Sequence, residues 1–284
     1  MERHLLLTVS ERHDGLFGVR FAGRFFSGTK DVKFTVLYLT PKSQGAFESD
    51  HDSELHARKW EAKGRQALQT AKGELLKAGF KEDQLATKLQ SRRISKVKDI
   101  IQEGAVGQYD AVVLGRRGLS WLEQVYDESV TKEMLQQTVD FPLWICRLPD
   151  LNRKNVLACV DGSDASHRML DHVGFILEPE EHHTVTLMTV AKKGKIADRA
   201  PEEVFSKSRA VLTGSGISAE RIYTKVVDEA SPSKAILKAA TEGAFAAIAV
   251  GRTGAGKGRL KKMFVGSVSD ALFQNLQGAS LWLA

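Results

Sequence analysis

Only two cysteines and six prolines occur in 284 residues. The first number is too small for a disulfide framework, and no low-complexity tract is present that would resist packing. Cys146 and Cys159 fall in opposite halves inside apolar runs and read as buried, reduced core residues. No apolar run approaches the roughly 20 residues of a membrane helix. Met1 to His4 leads into a five-residue apolar run, too short for a signal peptide, so a cytoplasmic protein is expected. Charge of one sign is also scarce. The formal balance of +6, from 41 Lys and Arg against 35 Asp and Glu, is scattered among acidic neighbours, which argues against a nucleic-acid-binding stripe.

Metal and nucleophile chemistry are thin as well. His51 and His56, His167 and His172, and the pair His182-His183 lack the i, i+4 spacing and the nearby third ligand of a zinc site. They read as surface or satisfied histidines, with no metal implied. Asp161-Gly-Ser-Asp164 holds a serine without the Gly-x-Ser-x-Gly elbow, and Asp164 reads as the N-cap of the next helix. No catalytic residue is identified.

What the chain does have is a repeat. Asp110-Ala-Val-Val-Leu-Gly115-Arg matches Ala246-Ala-Ile-Ala-Val-Gly251-Arg, and Phe141-Pro-Leu-Trp-Ile-Cys146 matches Ala279-Ser-Leu-Trp-Leu-Ala284 with the tryptophans in register. Leu5 to Ser10 likewise corresponds to Val156 to Asp161. Two domains of ordinary size are expected, 1–150 and 151–284. Apolar strand-like runs alternate with helical periodicity: strands near 4–9, 33–39, 85–89, 110–114 and 142–147, then 155–160, 184–190, 221–227, 245–250 and 280–283. Helices are expected at 53–78, 165–177, 201–212, from Ser231-Pro232 onward, and at 267–276. Strands apolar on both faces imply a parallel sheet covered by helices on each side. Such sheets bind ligands beyond the strands' carboxyl ends. The two closing strands, short, apolar and matched, are expected to pair with each other and so cover their edges.

The most informative segment is Gly251-Arg-Thr-Gly254-Ala-Gly256-Lys-Gly258, with a fresh helix start at Gly266-Ser267. A glycine-dense turn after a buried strand brings backbone amides close to a phosphate, and Gly251 and Gly254 permit positive φ and close approach. Ser267 and the first helical amides would add the positive end of a helix. Ser267-Val-Ser-Asp270 is equally an ordinary capping box; it is the combination with Asp161 and the glycines that favours a nucleotide. Lys257, Arg259, Lys261 and Lys262 crowd the loop with no acid between Glu242 and Asp270. A P-loop does not fit, because Gly258 stands where the Mg²⁺-binding hydroxyl belongs. Arg116, Arg117 and Arg252 follow the fourth strands and read as phosphate contacts or as solvated loop residues.

In the first half, Ser10 replaces the aspartate, and Gly118 is followed after nine residues by Glu128-Ser129. A carboxylate then stands where a phosphate would settle. Two like charges about 4 Å apart repel by about 1 kcal/mol in water and about 4 kcal/mol at a partly buried site. Short of a metal bridging Glu128 and phosphate, this half is read as a structural or regulatory copy.

Strand, Gly-x2-Gly, nine residues, then Gly-Ser opening a helix, with Asp after the first strand, resembles the universal stress protein family in its tandem form, over nearly the whole chain. That resemblance implies two flavodoxin-like (Rossmann-like) α/β domains with five-stranded parallel sheets of order 3-2-1-4-5, arranged as an intrachain pseudo-dimer. It implies ATP, with or without Mg²⁺, held by Asp161, Val190, Gly251, Arg252, Gly254, Gly266 and Ser267. The spacing departs from the pattern: eleven residues separate Gly254 from Gly266, and nine are recovered by counting from Gly256. Either glycine fits the cradle. The expected function is a cytoplasmic stress-response protein regulated by an adenine nucleotide, with any ATP hydrolysis slow for want of a general base. Other expected partners are a second copy of the tandem chain and an unidentified protein. A nucleotide-free scaffold is the alternative.

Overall fold

The computed structural model describes residues 2–11, 13–41, 50–115, 139, 141–191, 200–252 and 267–284. The chain forms two compact units, one of residues 1–134 and 139–141 and one of 135–138 and 142–284.

In unit 1 the strands are β1 (Arg3–Val9), β2 (Val32–Thr40), β3 (Leu85–Ser91) and β4 (Ala111–Gly115). All pairs are parallel. β1 lies between β2 and β4, with Leu7 opposite Val36 on one side and Val113 on the other, and β2 continues to β3. Helices α1 (Phe17–Phe25), α2 (Asp50–Lys77) and α3 (Lys96–Val106) make the crossovers. Leu5, Leu6 and Leu7 are fully buried, as a central parallel strand covered on both faces requires.

Unit 2 contains β6 (Lys154–Cys159), α4 (Asp164–Leu177), β7 (Val185–Ala191), α5 (Pro201–Gly214), β8 (Ile222–Asp228), α6 (Pro232–Glu242), β9 (Phe245–Val250), α7 (Ser267–Asn275) and β10 (Ser280–Leu283). Its order β8-β7-β6-β9-β10 is the expected 3-2-1-4-5. The fifth strand of the first repeat, β5 (Leu143–Cys146), packs in this unit too, antiparallel to β10, with Trp144 opposite Trp282. The pairing expected of the two closing strands is therefore present, and it makes the sheet mixed.

Local sequence accounts for the elements. α4 buries Met169, Leu170, Val173, Ile176 and Leu177, one apolar stripe at helical spacing. α5 and α6 both begin with proline in the first turn, where no amide is needed. α5 ends in a Schellman turn: Gly216 takes φ +96°, Ile217 N–H donates to Leu212 O at 3.1 Å and Gly216 N–H to Thr213 O at 3.0 Å. α2 ends the same way, with Gly79 at φ +97° and Phe80 N–H on Leu75 O at 3.2 Å. The duplication thus reaches down to helix caps.

At the β5–β10 seam the Trp144 and Trp282 rings stack 4.0 Å apart and nearly parallel, at 5°. Such a contact contributes about 1 kcal/mol beyond area burial. Trp144 Nε1–H donates to His172 Nε2 at 2.9 Å, and burial pulls the His172 imidazole down to about 3. Cys146 lies beside Ser280, Sγ to Oγ 3.4 Å, and burial pushes both thiols, Cys146 and Cys159, up to about 12. Neither is disulfide-bonded.

Candidate functional site

The carboxyl ends of β6, β7 and β9 meet in unit 2. β6 is the middle strand, paired to β7 as far as Cys159–Met188 and to β9 as far as Cys159–Val250. One residue further, Val160 N–H donates to Met188 O at 2.8 Å, and the chain then turns away at Asp161. Backbone groups alternate sides along a strand. Val190, two residues past Met188, therefore turns its amide and carbonyl toward the space that β6 has vacated.

Asp161 stands in that space. Its Oδ1 accepts the Ser163 amide at 2.9 Å, and the residue is exposed. Burial of part of the carboxyl pushes its pKa up, but hydrogen bonds from Ser163 and Ser166 outweigh this and hold it below the ordinary value. Asp161 is thus an ionised acceptor pair in fixed orientation. The N-cap of α4 is Ser163, whose Oγ accepts Ser166 N–H at 3.2 Å, and not Asp164, which occupies the first helical position. Asp161 explains the shift, because its grip on the Ser163 amide holds that residue in the extended conformation a cap needs.

Gly251 ends β9 against the start of α4. A Cβ there would lie 2.5 Å from Ala165 C, 2.6 Å from Ala165 O and 2.7 Å from Ser166 N. Its φ is not among the positive ones, so of the two properties expected of glycine here it is close approach that position 251 requires. Arg252 N–H donates to Ala284 O at 2.7 Å, which commits that amide to the end of β10, and Arg252 O receives Arg168 at 3.4 Å. Gly254, Gly256, Gly266, the Ser267 hydroxyl, and Lys257 to Lys262 lie outside the described residues, as do Arg116, Arg117, Gly118, Glu128 and Ser129. Asp161, Val190, Gly251 and Arg252 thus all lie at the carboxyl ends of the adjacent strands β6, β7 and β9.

The equivalent place in unit 1 is built differently. Ser10 is 6% exposed and its Oγ has no hydrogen-bond partner among the described residues. Gly15 presses on it: a Cβ at 15 would lie 2.3 Å from Ser10 Oγ. Tyr38, buried at the end of β2, donates its hydroxyl to Glu11 Oε2 at 3.2 Å. Where unit 2 has the exposed carboxylate of Asp161, unit 1 has a buried hydroxyl, that of Ser10.

Away from the crevice, the turn between α4 and β7 corrects one expectation. His182 and His183 do have a third donor nearby: Glu180, His182 and His183 each offer a ligand atom within 4.8 Å of the others. The residue that organises this turn, Arg221, was not identified from sequence, because its partners are main-chain carbonyls about forty positions away.

A model of the universal stress protein family matches residues 1–147 and 152–277. No curated protein matches. Among solved structures, the chain is similar to a universal stress protein from Archaeoglobus fulgidus DSM 4304, at 17% identity and a TM-score of 0.70, with 99% of this chain and 97% of that one covered. It is also similar to a functionally unknown protein from Pseudomonas aeruginosa PAO1, at 14% identity and a TM-score of 0.52, covering 99% and 92%. These identities speak for fold alone. A universal stress protein in complex with cAMP overlaps 46% of this chain and 96% of its own, at 17% identity and a TM-score of 0.36, too low a score to bear on ligands here.

Proposed function

The chain belongs to the universal stress protein family, and on that premise we propose that its second half binds ATP or a related adenine nucleotide as a regulatory ligand in a stress response. The observation that carries the proposal is Asp161: an exposed carboxylate, held ionised and oriented by Ser163, beyond the carboxyl end of the central strand. A parallel sheet offers its ligand site at that place.

Asp161 would accept hydrogen bonds from ribose or adenine donors, and the main chain of Val190 would face the base. Gly251 lets the chain at the end of β9 approach the start of α4 closely, and the phosphates would rest on amides of Gly254, Gly256, Gly266 and Ser267, with Arg252 and Lys257 as cations. The Arg252 amide, being engaged by Ala284, takes no part. The side chains named supply binding and orientation; none stands as a base for water, so turnover is expected to be slow.

No described helix is long and apolar enough to cross a membrane. The family and the unpaired thiols support the cytoplasm as the setting, and a second copy of the chain is proposed as one partner. The test is nucleotide occupancy: mass spectrometry of the purified protein after denaturation should find an adenine nucleotide at up to one per chain. A protein that neither carries nor takes up one is the nucleotide-free scaffold instead.

A further inference from the structure

We propose that the turn joining α4 to β7 is a transition-metal site of the Zn²⁺ class, with Glu180, His182 and His183 as its protein ligands. It lies at the amino end of β7, the opposite end of the sheet from Asp161, and owes nothing to the nucleotide reading.

The donor set is what such an ion takes. Two imidazoles and one carboxylate suit borderline ions such as Zn²⁺ and leave a fourth position for water. The three donor atoms lie within 4.8 Å of one another, with His182 Nδ1 4.0 Å from Glu180 Oε2. With bonds of about 2.0–2.2 Å, donors of a tetrahedral site stand about 3.4 Å apart. The cluster closes onto an ion by side-chain rotation, since His182 is half-exposed. Glu180 and His183 are 1% and 2% exposed, so two of the three ligands are already fixed by packing and the open position faces solvent beside His182.

The turn is held rigid independently of any ion. Arg221 donates to the carbonyls of Leu177 (2.8 Å), Glu180 (2.7 Å) and His183 (2.9 Å), and the His183 amide closes the turn on Glu180 O at 3.0 Å. A guanidinium bound to carbonyls is a clamp, and the local charge stays negative: the carboxylates of Glu178, Glu180 and Glu181 all act on Arg221. A divalent cation would neutralise that excess.

Binding has a proton balance. His183 Nδ1 receives the Asn155 amide at 3.4 Å, near the outer limit of a hydrogen bond. An ion on Nε2 moves the ring proton to Nδ1 and forfeits that weak bond.

Untagged full-length protein, stripped with EDTA, is titrated with ZnCl₂ by calorimetry and with CoCl₂ by visible absorption. One equivalent should bind, with the strong absorption of four-coordinate Co²⁺. His182→Ala, at an exposed position that spares the core, and the isosteric Glu180→Gln should each weaken Zn²⁺ binding at least tenfold while leaving the far-UV circular dichroism intact. Absence of a stoichiometric site in the wild type, or unchanged Zn²⁺ affinity in either variant, would overturn the proposal. Neither result touches ATP binding, which is measured separately.

Discussion

The two units share strand order, crossover helices and the Schellman turn after the second helix, yet they finish the first strand in opposite ways. In unit 2 the chain leaves β6 through an exposed Asp161, whose carboxylate organises the start of α4. In unit 1 it leaves β1 through a buried Ser10, with Gly15 packed on it and Tyr38 tied to Glu11. The same scaffold therefore ends its first strand in an exposed carboxylate in one unit and in a buried hydroxyl in the other.

The glycines at the two crevices give the largest expected contrast. Gly251→Ala drives a Cβ into the backbone of Ala165 and Ser166, which cannot rotate away, and should destabilise the protein by about 3 kcal/mol. Gly15→Ala meets the Ser10 hydroxyl at 2.3 Å but only one backbone atom closer than 3 Å, Ser10 N at 2.8 Å, against three at Gly251, and should cost less, about 2 kcal/mol. Urea midpoints of the two variants at constant m-value measure the difference; equal losses would mean the crevices are packed alike.

Acid should separate the units next. His172 titrates at about 3 when folded and at about 6.5 when unfolded. Between those values the unfolded chain holds a proton that the folded one lacks, so the stabilisation is complete above pH 6.5 and shrinks as pH falls toward 3. From pH 7 to pH 5 the loss should be about 2 kcal/mol. Fluorescence of Trp144 and Trp282, stacked beside His172, should follow it, and His172→Gln, which keeps an acceptor for Trp144, should remove most of the slope. His4 in unit 1, also lowered by burial against the pull of Asp110, adds a component of the same sign.

A smaller effect concerns the ligand. Asp161→Asn should weaken ATP binding about tenfold, or about 1.4 kcal/mol, whereas Ser10→Ala should leave it unchanged, since Ser10 is buried in the other unit. Equal effects from both would dissolve the distinction between the halves. The least change is expected at exposed ion pairs, one in each unit: removing Arg58 from Glu54 or Lys207 from Glu203 (both 2.7 Å, i, i+4) should alter stability by less than about 0.5 kcal/mol.

Much of this was legible in the chain because its signals are local. β9 and β10 fall at the expected residues, and the matched tryptophans anticipated the pairing of β5 with β10. Two details escaped. Whether Ser163 or Asp164 caps α4 depends on a side chain two residues upstream, and sequence preference cannot rank two good caps. The Glu180–His182–His183 cluster is local, three donors within four positions, a spacing that the i, i+4 zinc pattern does not describe; only the Arg221 clamp on the carbonyls of that turn is long-range. Tyr38 on Glu11 is similarly a product of β1–β2 register.

The asymmetry between the halves is tested most directly by calorimetric titration of ATP with Mg²⁺ into the intact chain and into Gly266→Glu, which copies Glu128 into the second half. The account predicts one ATP per wild-type chain and no detectable heat in the variant. Binding that survives Gly266→Glu, or two equivalents per wild-type chain, would contradict it.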